Sequence, residues 1–112
     1  MDKQHVLIVE DDTSFGIMLS KWFDKKGYAT DLSLCVADAQ EKLSLQTYNL
    51  ILTDLRLPDG DGIMLLTWIK EQGIYAPVII MTSYAEVQTA VSAIKIGAFD
   101  FLEKPIDRKS VV

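Results

Sequence analysis

Carboxylates, hydroxyls and one ammonium group directly follow apolar runs at four places in the chain: Glu10-Asp11-Asp12, Thr53-Asp54, Thr82-Ser83 and Glu103-Lys104. Carboxylates that gather at one place repel each other, by about 4 kcal/mol for a pair ~4 Å apart at an effective dielectric of about 20. Lys104 and a divalent cation are the two sources of charge that could offset this repulsion. Because these segments contain no histidine or cysteine, we expect a hard ion such as Mg²⁺ (or Mn²⁺), not zinc.

The same side chains are those that phosphoryl transfer requires. A metal ion neutralises some phosphoryl oxygens, Lys104 and Thr82 can bind others, and a carboxylate such as Asp54 can be the nucleophile. The simpler interpretation is that each acid is only a solvated loop residue or a helix cap, as Asp12 could be before the first helix. That interpretation suits one strand end, but it does not explain complementary chemistry at four.

Three runs of the sequence are apolar throughout, which is typical of strands covered on both faces in a parallel sheet. These runs are Val6–Val9, Leu50–Leu52 and Val78–Met81, and weaker strand candidates lie at Tyr28–Leu32 and Ala98–Leu102. Between them, apolar residues recur at helical spacing in four segments that begin near Phe15, Val36, Gly62 and Val87. The resulting βαβαβαβαβ order predicts a doubly wound α/β fold, which binds ligands beyond the carboxyl ends of its strands.

Length and composition indicate one globular domain. The chain has 112 residues, a net charge of −5 and a single cysteine, Cys35. The acidic balance argues against direct nucleic-acid binding, and a lone cysteine cannot form an internal disulfide. No apolar stretch approaches the ~20 residues of a membrane span, so we expect a cytoplasmic protein. Residues 106–112 are too few for a final covering helix, so we expect an N-terminal fragment of a longer protein or a partner on that face.

The motifs together resemble the receiver domain of two-component response regulators, over about residues 6–105. The resemblance rests on four segments in matching order and spacing: Leu7-Ile8-Val9-Glu10-Asp11-Asp12, Asp54-Leu55-Arg56-Leu57-Pro58 with Asp61-Gly62, Met81-Thr82-Ser83, and Gly97-Ala98-Phe99-Asp100-Phe101-Leu102-Glu103-Lys104-Pro105. It implies a flavodoxin-like three-layer sandwich of five βα units with strand order 2-1-3-4-5. The fifth helix of that fold would be largely missing here.

The resemblance also implies roles for the acidic residues. Asp54 would be the phosphorylated aspartate, and Asp11 would bind Mg²⁺ directly. Glu10 would act on the metal through water, and the backbone carbonyl of Arg56 would be a further ligand. The pair Glu10-Asp11 replaces two aspartates, a common variant in the family.

Other residues would carry the signal according to the same resemblance. Thr82 would be the switch hydroxyl that moves toward the phosphoryl group, Lys104 its charge partner, and Phe101 an aromatic residue whose rotamer follows Thr82. The Lys104-Pro105 bond would be cis. The position of Tyr84, like that of Arg56, would flank the entrance to the phosphate and influence how long the phosphoryl group survives.

The function implied is a signalling switch that accepts a phosphoryl group from a sensor histidine kinase or a phosphotransfer protein, and not an enzyme that turns over a substrate. Similarity of Ser83–Val87 and Ala90–Ala98 to nitrogen-regulatory receivers predicts transcription regulation through an absent ATPase module, acting with an alternative sigma factor, and an absent DNA-binding domain. Many family members dimerise through the face formed by the fourth helix, fifth strand and fifth helix, so the resemblance also allows a homodimer, although the fifth helix would be largely missing from that face.

Three other functions compete with the switch. A Mg²⁺-dependent phosphohydrolase would use Asp54 as nucleophile, but it needs an acid two residues later, where Arg56 stands. A flavin carrier needs an anion-binding loop after the first strand, and Glu10-Asp11-Asp12 would repel a phosphate there. A receiver-like module that has lost phosphorylation would not need the acidic pair, Asp54, Thr82 and Lys104 all present.

Overall fold

A twisted parallel sheet forms the centre of the molecule in the computed structural model, which describes residues 3–104 apart from the side chain of Tyr84. Its five strands are β1 (His5–Val9), β2 (Ala29–Ser33), β3 (Leu50–Asp54), β6 (Val78–Thr82) and β7 (Asp100–Glu103). They lie in the order β2-β1-β3-β6-β7, which is the order 2-1-3-4-5 when a small hairpin is left out. The two-residue strands β4 (Arg56–Leu57) and β5 (Gly60–Asp61) pair antiparallel in the separate hairpin.

Four helices cover the two faces of the sheet: α1 (Thr13–Lys25), α2 (Val36–Leu45), α3 (Gly62–Glu71) and α4 (Val87–Ile96). Helices α2, α3 and α4 pack against one face, in the larger core cluster that contains Leu7, Ile51 and Ile80. Helix α1 packs against the other face through Phe23, together with Val6 and other buried residues. This three-layer arrangement confirms the predicted fold class.

Local side chains fix where three helices begin. Asp12 accepts a hydrogen bond from the Phe15 N–H (3.2 Å), and Asp61 accepts one from the Met64 N–H (2.7 Å). Cys35 has the same capping position before α2, where its Sγ accepts from the Asp38 N–H at 3.5 Å. These contacts satisfy N–H groups that have no partner within the helix. Asp12 is therefore a helix cap, which the sequence had left as one of two interpretations.

The hairpin also holds the start of α2. The carboxylate of Asp59 accepts hydrogen bonds from the backbone N–H groups of Val36 (2.7 Å) and Ala37 (2.9 Å). These bonds lower the pKa of Asp59, because they stabilise its ionised form. The segment that follows Asp54 is thus tied to the neighbouring helix by a charged residue that the sequence did not identify.

Most differences from the sequence prediction lie at element ends. The second and fifth strands begin later than predicted, at Ala29 and Asp100, and β3 extends two residues further, to Asp54. The expected loss of the fifth helix and the cis Lys104-Pro105 bond concern residues outside the described range. Within residues 3–104, no helix is long and apolar enough to cross a membrane.

Candidate functional site

Three carboxylates meet at the carboxyl edge of the sheet. Glu10 and Asp11 follow β1, and Asp54 is the last residue of the adjacent strand β3. One ligand atom from each of the three lies within 4.8 Å of the other two. Glu10 is fully buried and Asp54 is 8% exposed. Parallel pairing of β1 with β3 produces this convergence, since it places the ends of both strands at one edge.

Lys104 completes this cluster from the end of β7. Its Nζ lies 2.6 Å from Glu10 Oε1 and 3.1 Å from Asp54 Oδ2. Its backbone N–H donates to the Thr82 carbonyl at 2.7 Å, and its ammonium group lies 4.9 Å from the centre of the Phe15 ring. The backbone bond and the aromatic ring together direct the lysine side chain across the sheet edge toward the two carboxylates.

Burial dominates the electrostatics of Glu10. It raises the pKa of this carboxyl to about 7, and the opposing effects of Lys104 and the Asp12 N–H do not cancel it. The Oε2 atom accepts from the Asp12 N–H at 3.1 Å, whereas Oε1 has the Lys104 ion pair but no aligned hydrogen-bond donor among the described residues. Burial also opposes the charge on Lys104, but its two carboxylate partners outweigh this and raise its pKa.

The pKa of Glu10 leads to a test on the metal-free domain. Between the ordinary value of 4.5 and about 7, the folded state keeps a proton on Glu10 that the unfolded state has released. The contribution of Glu10 to the free energy of unfolding should therefore fall as pH rises through this window, by up to about 3 kcal/mol. Urea denaturation of the wild type and of Glu10→Gln, both in EDTA, measures this contribution as the difference between the two proteins.

Glu10→Gln is the matched control because it removes this carboxyl and leaves the carboxylates outside the cluster unchanged. We expect the variant to become the more stable protein as pH rises to 7 and above. A difference between wild type and variant that stays constant from pH 4.5 to 7 would contradict the raised pKa.

Thr82 ends β6, the strand next to β3, and neither Thr82 nor Phe101 forms a side-chain hydrogen bond with the carboxylates among the described residues. Thr82 is fully buried, and its hydroxyl donates to the Ser83 carbonyl at 3.1 Å. Phe101 is half-buried and pairs in register with Ile80, two residues before Thr82. Because side chains alternate along a strand, Phe101 and Thr82 share the face that α4 covers.

The side chain of Arg56 forms no ion pair with the carboxylate cluster among the described residues and pairs with Glu86 instead. Its exposed guanidinium binds Glu86, with Nε 2.8 Å from Oε1 and 3.0 Å from Oε2. This partner could not be predicted from sequence, because Glu86 lies 30 residues from Arg56 in the chain and the motif Ser83–Val87 does not indicate which residue it contacts. Tyr84, the other residue expected near the entrance, has a side chain outside the described part of the structure.

Gly62 packs closely against the backbone of Asp54 and Leu55, at the end of β3. A Cβ atom at this position would lie 2.6 Å from the carbonyl oxygen of Asp54. The Gly62 N–H donates to the Leu55 carbonyl at 2.8 Å, which joins the start of α3 to the residue after Asp54. The close approach explains why the segment Asp61-Gly62, part of the recognised motif, needs a residue without a side chain.

The donor set fits a hard divalent cation. All the candidate side-chain ligands are carboxylate oxygens, and the cationic partner of Glu10 Oε1 among the residues described is Lys104. When all three carboxylates are ionised, Lys104 balances one of their negative charges and leaves two. A divalent ion would neutralise that remainder, and oxygen-only coordination is what Mg²⁺ and Mn²⁺ prefer.

Comparison with known proteins identifies the family. The response regulator receiver domain family matches residues 6–112. The chain belongs to that family. This receiver domain also superposes on the signal receiver domain of a Vibrio parahaemolyticus protein with a TM-score of 0.87, at 36% identity, over 98% of this chain and 85% of that one.

Full-length relatives place the receiver domain in the nitrogen-regulatory class, as the sequence predicted. It is 38% identical over 107 residues to the response regulator protein PilR of Pseudomonas aeruginosa, covering 96% of this chain and 24% of PilR. It is also 38% identical over 107 residues to the DNA-binding transcriptional regulator NtrC of Proteus hauseri, covering 96% and 23%. The chain thus spans about a quarter of the length of these relatives. Receiver domains are the signalling domains of two-component systems.

Proposed function

We propose that this receiver domain is a phosphorylation-dependent switch in which Asp54 accepts the phosphoryl group. The observation that supports this proposal is the convergence of Glu10, Asp11, Asp54 and Lys104 at one sheet edge. Asp54 is the member of the cluster at the end of the central strand β3, and its Oδ2 already has a cationic partner. The donor of the phosphoryl group is a sensor histidine kinase or a phosphotransfer protein.

Glu10, Asp11, Asp54 and the backbone carbonyl of Arg56 would hold the metal ion. A bound Mg²⁺ or Mn²⁺ supplies positive charge for the phosphoryl oxygens. Glu10 keeps its buried position through the Asp12 N–H and Lys104. The protein therefore prepares an anionic site that attracts a cation before the phosphoryl donor arrives.

In the transfer step, a carboxylate oxygen of Asp54 forms a bond to phosphorus while the bond from phosphorus to the donor breaks. The departing group keeps the electron pair of that bond. Lys104 lies close enough to Asp54 to bind one of the phosphoryl oxygens, and the hydroxyl of Thr82 can bind another. Such positioned donors stabilise charge on a transferring phosphoryl group.

Thr82 and Phe101 would carry the change to the face covered by α4. The hydroxyl of Thr82 donates to the Ser83 carbonyl, so it must leave that partner to reach the phosphoryl group. Phe101 shares the same face of the sheet and can occupy the space that the threonine vacates. Phosphorylation then shifts the balance between two existing states of the domain.

The output is proposed to be transcription regulation through further domains of a longer regulator. The similarity to PilR and to the DNA-binding regulator NtrC supports this, since both are about four times as long as the matched region. The net charge of −5 makes this domain itself a poor partner for DNA. Two phosphorylated receiver domains would also be able to form a homodimer, which the mass of the phosphorylated protein in solution tests.

Acetyl phosphate, with Mg²⁺ present, tests the switch against the competing functions. Intact-mass spectrometry should detect one added phosphoryl group on the wild type and none on Asp54→Asn, because the amide oxygen is a much weaker nucleophile. Omission of Mg²⁺ should slow the reaction strongly. Repeated turnover of acetyl phosphate would indicate a phosphohydrolase, and the absence of any adduct would indicate a module that has lost phosphorylation.

A further inference from the structure

The Arg56–Glu86 ion pair joins the loop that follows Asp54 to the segment that leads into α4. Arg56 lies two residues after Asp54, and Glu86 ends the single 3-10 turn Tyr84–Glu86 that follows the Thr82 strand. The guanidinium makes three hydrogen bonds to the carboxylate through Nε and one terminal nitrogen. Among the described residues, no other side-chain hydrogen bond connects residues 54–61 with residues 82–96.

Glu86 forms this contact in place of a helix cap. It occupies the residue before α4, yet its side chain makes no capping hydrogen bond, whereas Asp12, Cys35 and Asp61 all cap their helices. The carboxylate of Glu86 is therefore directed toward Arg56 and away from its own helix.

Arg56 is also within reach of a phosphoryl group on Asp54. Two backbone steps of ~3.8 Å separate the two residues, a distance that an arginine side chain bridges. A phosphoryl group carries about two negative charges at neutral pH, and arginine binds phosphate with paired hydrogen bonds. The Arg56 side chain is 66% exposed, so protein packing does not prevent it from turning.

We propose that Glu86 is a positioning residue that holds Arg56 away from Asp54 in the unphosphorylated domain and competes with the phosphoryl group for its guanidinium. This inference rests on the proposed role of Asp54. Phosphorylation draws Arg56 from Glu86, which breaks the link between the loop and the start of α4. Glu86 thus opposes the phosphorylated state, and Arg56 favours it, although the two residues form one ion pair.

Beryllofluoride, a tetrahedral mimic of the phosphoryl group that binds carboxylates, tests this competition in the presence of Mg²⁺. Glu86→Gln should tighten beryllofluoride binding by about two- to five-fold, the range that an exposed ion pair is worth. Arg56→Gln should weaken it by about five-fold or more. In the double variant, binding should equal that of Arg56→Gln alone, because Glu86 acts only through Arg56. Titration calorimetry gives all four dissociation constants.

The two single variants should change the affinity for beryllofluoride in opposite directions, which distinguishes competition from a structural role. If the ion pair only stabilised the fold, both single variants would change the affinity in the same direction. Weaker or unchanged binding by Glu86→Gln would overturn the inference, as would an effect of Glu86→Gln that persists without Arg56. If the wild type itself does not bind beryllofluoride, the proposed function fails and this inference fails with it. Binding by the wild type without an effect of Glu86 overturns the inference alone.

Discussion

Replacing Lys104 with methionine is expected to destabilise the metal-free domain by about 3 kcal/mol at mildly alkaline pH and to prevent stable phosphorylation. The ammonium group lies between the fully buried Glu10 and Asp54. Removing one member of a buried ion pair leaves an uncompensated charge, which costs about 3–5 kcal/mol. We expect the lower end of that range, because the Lys104 side chain is 24% exposed. Urea denaturation in EDTA measures the loss.

Two further variants isolate the charge effect. Lys95→Met removes an exposed lysine on α4 that forms no ion pair with the residues described, and it should leave stability almost unchanged. Adding Glu10→Gln to Lys104→Met should restore much of the lost stability, since the buried charge is then absent. Equal stabilities of the Lys104→Met and Lys95→Met proteins would contradict the electrostatic account of the site.

Replacing Gly62 with alanine is expected to lower the free energy of unfolding by about 3 kcal/mol and the rate of phosphorylation about a hundredfold. The new Cβ would lie 2.6 Å from the Asp54 carbonyl oxygen and 3.4 Å from the Leu55 Cα, both backbone atoms that cannot rotate away. Overpacking of this kind typically costs 1–3 kcal/mol. The loop must move, and a displacement of about 1 Å at a reacting group can reduce a rate by about 10².

Gly16→Ala provides a control with a contact of similar length. Its Cβ would meet Leu32 Cδ1 at 2.8 Å, which is the far end of a flexible side chain. The leucine can change rotamer, and alanine favours the helix by about 1 kcal/mol over glycine, so stability and phosphorylation should both stay near wild type. Intact-mass spectrometry over time with acetyl phosphate gives the rate of phosphorylation. A wild-type rate for the Gly62→Ala protein would contradict the proposed support of Asp54.

Sequence patterns predicted the strands well where burial on both faces left a continuous apolar run, as in Val6–Val9. They were less accurate at Asp54, because a polar residue at the end of β3 carries no apolar signal even though it is paired with Met81. The β4–β5 hairpin was not predicted, since strands of two residues have no periodicity to detect. Strand order came from the family resemblance, because local pattern does not determine which strands pair.

Much of the candidate site could be predicted because one rule, the convergence of strand ends in a parallel sheet, places Glu10, Asp11, Asp54 and Lys104 together. The raised pKa of Glu10 could not be predicted, since it depends on complete burial by neighbouring elements. The partners of Arg56 and of the α2 N-terminus were also missed. Glu86 and Asp59 act across loops that only the folded chain brings together.

Chemical trapping of the phosphorylated residue tests the central claim most directly. After incubation with acetyl phosphate and Mg²⁺, borohydride reduces an aspartyl phosphate to homoserine, and peptide mass spectrometry then locates the altered residue. We predict homoserine at position 54 and unaltered aspartates at positions 11, 12, 59 and 61. Homoserine at any of those other positions, or none in the chain, would contradict the assignment of Asp54 as the phosphate acceptor.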